Sequence, residues 1–371
     1  MTKQPLRANI TYSVVTFIVK SIMKSLFLFI TLLFITLRFS LPAWATDNGS
    51  KGSAQSQGIQ SQGIQPQDTM RLCAVYPHLK DSYWLSINFG MTERAKQRGI
   101  SLKVLEAGGY QNRHEQWAQI QQCLTWQADA ILVGAIYYDQ FSSKLTTLNN
   151  TVPLFGLVNE ISTPSLTAST GVSWYQMGEN LGQYLSRKHP KTTSNTKLKL
   201  AWLPGPKSGG GSEQATQGLK DALINSDVEI VSIKHGLNNK MRQFSLINET
   251  LAEFKDNELD YLAGNAIMAE MAINELGKLE QNKRPQIVSH YLSHGVYRGI
   301  KRGKILMANS DQMVLQGAMA IDQAVDYLLT KTYISNQGPE ILTVTKDLLA
   351  QFPTAQSLSP SNFKPIYSVN P

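Results

Sequence analysis

Acidic residues are absent from the first 45 positions, cysteine occurs twice in 371, and charged residues make up only 17% of the chain. Each shortage excludes something. Two cysteines, Cys73 and Cys123, are too few for the disulfide scaffold of a small secreted domain and too far apart for a metal-binding pair. There is no G-x-S-x-G elbow and no H-E-x-x-H helix, so no catalytic residue is assigned. His290 and His294 straddle a strand end without a companion glutamate, and no metal site is assigned either. In GPKSGGGSEQ (Gly205–Gln214) the lysine precedes the glycines, which is not P-loop order and reads as a rim loop. The net charge of +8 includes five basic residues from the acid-free segment. The remaining +3 is too weak and scattered for a nucleic-acid footprint.

What is present begins with an export signal. Lys20 and Lys24 precede the apolar run Leu26–Leu37, and Ala43-Trp44-Ala45 supplies small residues at a cleavage spacing. Residues 1–45 therefore read as a signal peptide. A signal starting at Met23 would be complete by itself, so Met1–Ile22 reads as an over-long start; an uncleaved anchor is the alternative. Residues 46–69, with Ser-Gln-Gly-Ile-Gln written twice, read as a disordered linker. The hydrophobic fraction, 42%, allows a sizeable core beyond it.

From Arg71 the pattern is strand then helix throughout. Arg71–Tyr76, Leu102–Glu106, Ala130–Gly134 and Pro153–Leu157 read as strands around helices Leu85–Arg98, Arg113–Trp126 and Asp139–Leu148. The series restarts near Thr167–Trp174 and runs to a long helix, Gln312–Leu329, and a strand-like tail at Glu340–Thr345. Repeated βαβ units imply an α/β fold of two doubly wound parallel-sheet lobes around a cleft. In a 2-1-3 strand order the second crossover passes over the first strand, bringing Cys123 near Cys73. Oxidising conditions would then join them as a disulfide; two separate buried thiols are the alternative.

The segments LCAVYPHLKDSYWLSINFGM, LKVLEAGGY, GVSWYQMG, HYLSHGVYRGIKRG and MANSDQMVLQG resemble the type I periplasmic binding proteins, the class of the ribose and galactose binders. More narrowly they resemble members of the trimethylamine N-oxide (TMAO) respiration system. The resemblance implies lobes of residues 70–172 plus 311–340 and 173–310 plus 341–371. It also implies three crossings, near Trp174, Asn309–Asp311 and Ile341–Thr343. Function is implied too: a non-enzymatic periplasmic receptor without a cofactor that binds TMAO and signals through the periplasmic sensor domain of a histidine kinase. The alternative is a transport-type protein delivering a sugar or other metabolite to a permease.

The candidate ligand residues are Asp81, Tyr83, Trp84, Tyr110, Trp174 and Tyr291. Asp81-Ser82-Tyr83-Trp84 falls at the carboxyl end of the first strand, where parallel sheets bind ligands. Aromatic faces attract polarised N-methyl groups, and hydroxyl or indole donors suit an N-oxide oxygen. Trp174 sits at a crossing, Tyr110 follows Gly108-Gly109, and Tyr291 ends a strand of the second lobe. Asn265 and Asp311 match sugar-contacting positions, but for so small a ligand they are expected to brace the cleft walls.

Overall fold

The structure, a computed structural model, describes residues 69–138, 142–161, 166–193, 196–207, 209, 211–254 and 259–371. The expected signal peptide, all but the end of the linker, and the start of the helix expected at Asp139–Leu148 lie outside the described residues.

The first lobe runs β1 (Arg71–Tyr76), α1 (Ser82–Arg98), β2 (Ser101–Glu106), α2 (Arg113–Thr125), β3 (Ala130–Val133), α3 (Ser142–Asn149), β4 (Leu154–Leu157) and β5 (Ala168–Thr170). The second lobe runs α4 (Trp174–Lys188), β6 (Leu198–Leu203), α5 (Ser212–Leu223), β7 (Val228–Ile233), α6 (Lys240–Glu253), β8 (Tyr261–Gly264), α7 (Ala266–Gly277), β9 (Gln286–Ser289), α8 (His294–Lys301) and β10 (Met307–Ser310). Each sheet has the parallel order 2-1-3-4-5, here β2-β1-β3-β4-β5 and β7-β6-β8-β9-β10. Strands at the centre, such as Ala130–Val133 and Tyr261–Gly264, are buried along their whole length. They read as unbroken apolar runs because helices cover both faces.

The chain then returns to the first lobe. Helix α9 (Met313–Thr330) lies against α1 so closely that a Cβ at Gly317 would meet Ile87 O at 2.4 Å. Strand β11 (Asn336–Gln337) extends the first sheet beside β5, and β12 (Leu342–Thr345) pairs antiparallel with β10 in the second. The three crossings fall at residues 171–173, 311–312 and 338–341.

The tail departs from expectation. Residues 341–371 do not all stay with the second lobe: after a short helix α10 (Thr354–Ser357), β13 (Ser368–Val369) pairs antiparallel with β2. Strand β2 would otherwise leave an open sheet edge, and β13 covers it. On the way the tail exchanges two hydrogen bonds between Ile366 and Asn88 of α1, of 3.0 and 2.9 Å. The backbone N–H of Ser359 donates to Ser86 Oγ at 3.1 Å, while Ser359 O accepts from His294 Nε2 of α8 at 2.8 Å. This fourth passage thus touches both lobes.

Cys73 on β1 and Cys123 on α2 are joined as a disulfide, with their Cα atoms 5.7 Å apart, so the separate-thiol alternative falls away. The bridge closes a span of 50 residues. Closing such a loop in the unfolded chain is worth about 4 kcal/mol. The Cys73→Ser, Cys123→Ser double variant is therefore expected to melt about 10 °C lower in calorimetry. An unchanged melting temperature would remove the bridge from the account of stability.

Candidate functional site

Asp81 has extended backbone and caps α1, its Oδ1 accepting the Trp84 N–H at 3.0 Å. A cap at that position starts the helix at Ser82 instead of the expected Leu85. Tyr83 and Trp84 consequently occupy the first helical turn, 5% and 2% exposed, and not a loop. The other carboxylate oxygen of Asp81 lies 3.7 Å from His78 Nε2.

From that turn a row of edge-to-face rings crosses between the lobes. Trp84 meets Tyr83 with centroids 6.0 Å apart, Tyr83 meets Tyr291 at 5.3 Å, and Tyr291 meets Trp174 at 6.1 Å. Such pairs are favoured by the ring quadrupole beyond their buried area. Both tryptophans rest on glycines. A Cβ at Gly134 would stand 2.7 Å from the Trp84 ring, and one at Gly211 would stand 2.0 Å from Trp174. The glycine-rich loop therefore serves as a seat for Trp174. Its Gly209 also approaches Ile136 O and the Tyr110 ring of the first lobe.

The hydrogen bonds divide the polar atoms into committed and free. Tyr83 donates its hydroxyl proton to Asp311 Oδ2 at 2.5 Å, and Gln316 Nε2 donates to the same oxygen at 3.0 Å. Trp84 Nε1 donates to Tyr110 Oη at 3.3 Å. Trp174 Nε1, by contrast, is buried without an acceptor among the described residues. Asn265 is fully buried as the cap of α7, accepting from Met268 N at 2.9 Å and donating to Leu203 O at 3.1 Å. Asn265 and Asp311 thus brace the walls.

Burial raises the phenols of Tyr83 and Tyr291 well above their ordinary value and that of Tyr110 to about 12. All three stay neutral hydroxyl donors at physiological pH. Burial also pushes the Asp311 carboxyl up. His290 is held down at about 4 by burial between Trp174, Trp202 and Tyr291. His294 instead bonds to Ser359, so the two imidazoles play separate parts.

A cavity of about 480 Å³ opens between the lobes at this point. Asp81, Tyr83 and Tyr110 line it from one lobe and Tyr291 from the other, with Glu270 nearby. Trp84 and Trp174 are buried against these rings and do not reach its wall. Lys80 lies on the rim, its Nζ donating to Gly108 O at 2.7 Å. A larger groove of about 950 Å³ runs along the crossings and carries none of the six expected ligand residues. No group of three or more potential metal ligands occurs among the described residues. Sequence reasoning missed Gly134, Gly211, His290 and Asn159. Only the two glycines, Gly134 directly after β3 and Gly211 directly before α5, left a signal.

The chain's residues 69–350 match the model of the family described as periplasmic binding proteins and sugar binding domain of the LacI family. The chain belongs to this family of non-enzymatic periplasmic binding proteins. It is 43% identical to the periplasmic protein TorT of Escherichia coli (strain K12) over 301 residues, 80% of this chain and 84% of that protein. Among solved structures it is similar to the complex of the TorS sensor domain with TorT, at 38% identity. In the absence of ligand the TM-score is 0.74, covering 80% of this chain and 100% of that one. In the presence of TMAO it is 0.73, covering 80% and 99%. It is also similar to an ABC transporter solute binding protein from Bradyrhizobium sp. BTAi1 with bound Bis-Tris, at 36% identity and TM-score 0.71, covering 81% and 90%.

The neutral His290 has a stability consequence. Its value falls from 6.5 to about 4 on folding, so between those values the unfolded chain binds more protons and stability drops as pH falls. The loss amounts to about 3 kcal/mol and levels off below pH 4. Denaturant titrations of the wild type and His290→Gln from pH 7 to pH 4 should differ in slope, the variant being flatter. Equal slopes would assign the acid sensitivity elsewhere.

Proposed function

We propose that this protein is an exported receptor that binds TMAO in the interlobe aromatic site and signals through the sensor histidine kinase TorS, inducing TMAO respiration. One observation carries the reading: Trp174 Nε1–H, a buried donor without an acceptor, sits in a row of aromatic rings otherwise suited to methyl groups. TMAO has both features, one strongly accepting oxygen and three methyls on a formally positive nitrogen. Burying an unpaired donor is unfavourable, and an oxygen supplied by a ligand removes that cost. Trp174 stands one ring behind the cavity wall, so a shift of the Tyr291 ring on binding opens the way to its N–H. The Tyr83 and Tyr291 rings on the cavity wall then receive the methyls, and Asp81 beside them favours the positive nitrogen. Similarity to TorT, and to its complex with the TorS sensor domain in the presence of TMAO, supports the same ligand and partner.

In this reading residues 1–45 are a signal peptide cleaved on export and 46–69 a linker. The lobes are 70–172 with 311–340 and 173–310 with the first part of the tail. Both lobes contribute to the ring row, so a ligand held there favours one lobe arrangement over another, and the kinase domain reads the difference.

A transport role is the second reading, favoured by the 36% identity to an ABC transporter solute binding protein. Calorimetric titration of the mature chain with TMAO and with sugars separates the two. The expected result is saturable TMAO binding without turnover, strengthened or preserved when the TorS sensor domain is present. Sugar binding with no heat from TMAO under either condition would contradict it. Trp174→Ala is expected to weaken TMAO binding by at least about 1 kcal/mol. Unchanged affinity would return that ring to a packing role.

A further inference from the structure

The phenol oxygen of Tyr110 has more hydrogen bonds directed at it than a neutral site wall requires. It accepts from Trp84 Nε1 at 3.3 Å on one side and from Asn159 Nδ2 at 3.3 Å on the other. A phenol has two acceptor positions and one proton. With both positions filled, the proton can only be given away, and among the described residues Tyr110 has no acceptor for it. Tyr110 lines the cavity, whereas Asn159 stands behind it, 6% exposed and outside the cavity wall.

Asn159 is held there by unusual backbone. Val158 has φ 65, in the left-handed region that a β-branched side chain rarely adopts. The Asn159 N–H closes a tight γ-turn to Leu157 O at 2.7 Å, a strained form of that turn. The same Asn159 Nδ2 also donates to Ala135 O at 2.8 Å, fixing which way the amide faces. Strain maintained at one residue beside a ligand cavity, with the next residue's amide pinned on both sides, marks a position held for a purpose.

We propose that Asn159 is a positioning residue for ligand selectivity. Together with Trp84 it saturates the acceptor positions of Tyr110 and commits the Tyr110 O–H to donate to an oxygen on the ligand. The site then discriminates an N-oxide from a cation of the same shape that lacks the oxygen. This rests on the reading given under Proposed function and names the group that selects within it.

The test is calorimetric titration of the mature chain with TMAO and with tetramethylammonium, in wild type, Asn159→Leu, Tyr110→Phe and the double variant. Asn159→Leu should weaken TMAO binding about tenfold and leave any tetramethylammonium binding within about twofold. In the Tyr110→Phe background, Asn159→Leu should change TMAO affinity no further, because its effect runs through the lost hydroxyl. Where Asn159→Leu does not fold, Asn159→Asp carries the same test. Its carboxylate accepts the phenol proton and should weaken TMAO at least as much. Equal losses for both ligands, additive losses in the double variant, or unchanged TMAO affinity would each overturn the inference while the proposed function stands. A wild type that binds no TMAO would overturn that function, and this inference with it.

Discussion

A carboxylate buried at a chain crossing must be paired, and here Asp311 is paired with Tyr83. Asp311 lies where the chain passes from β10 back to α9, fully buried, with Gln316 as its second partner. Leaving such a group without partners costs several times what an ordinary hydrogen bond contributes. The bond therefore fixes the first turn of α1 relative to the crossing, and the ring row starts from that turn. Tyr83 is committed to this bond; its proton goes to Asp311, and only its face remains for the cavity. The donors left for a ligand lie on the other rings.

This division of labour accounts for the arrangement around the site. Trp84 is seated on Gly134 and gives its N–H to Tyr110, while Trp174 is seated on Gly211 and keeps its N–H. Asn265 uses its amide to cap α7. Neutral His290 packs behind Trp174 and Tyr291 without adding a positive charge beside the site. At the sugar-contacting positions Asn265 and the Oδ2 of Asp311 are engaged internally, while Asp311 Oδ1 and, among the aromatic rings, Trp174 Nε1 are buried without a partner among the described residues.

Much of this is legible in the chain. Central strands such as Ala130–Val133 are apolar on both faces, and amphipathic helices alternate with them, so two doubly wound lobes follow from pattern alone. The disulfide follows from topology once the strand order is assumed. Other features leave no local signal. The start of α1 is hidden because Ser-Tyr-Trp reads as loop until Asp81 is recognised as a cap. The return of β13 to β2 is invisible because a two-residue strand has no period. Asn159 escapes notice because its importance lies in a positive φ at Val158 and in the proton of another residue, neither of which a residue letter encodes.

The central claim is that an oxygen-bearing ligand completes the Trp174 donor. The most direct measurement is the indole N–H resonance of Trp174, assigned by substitution, during titration of the mature protein with TMAO. The account predicts that this resonance moves downfield to saturation with TMAO, while that of Trp84, already bonded to Tyr110, moves far less. A Trp174 resonance unchanged at saturating TMAO would contradict it.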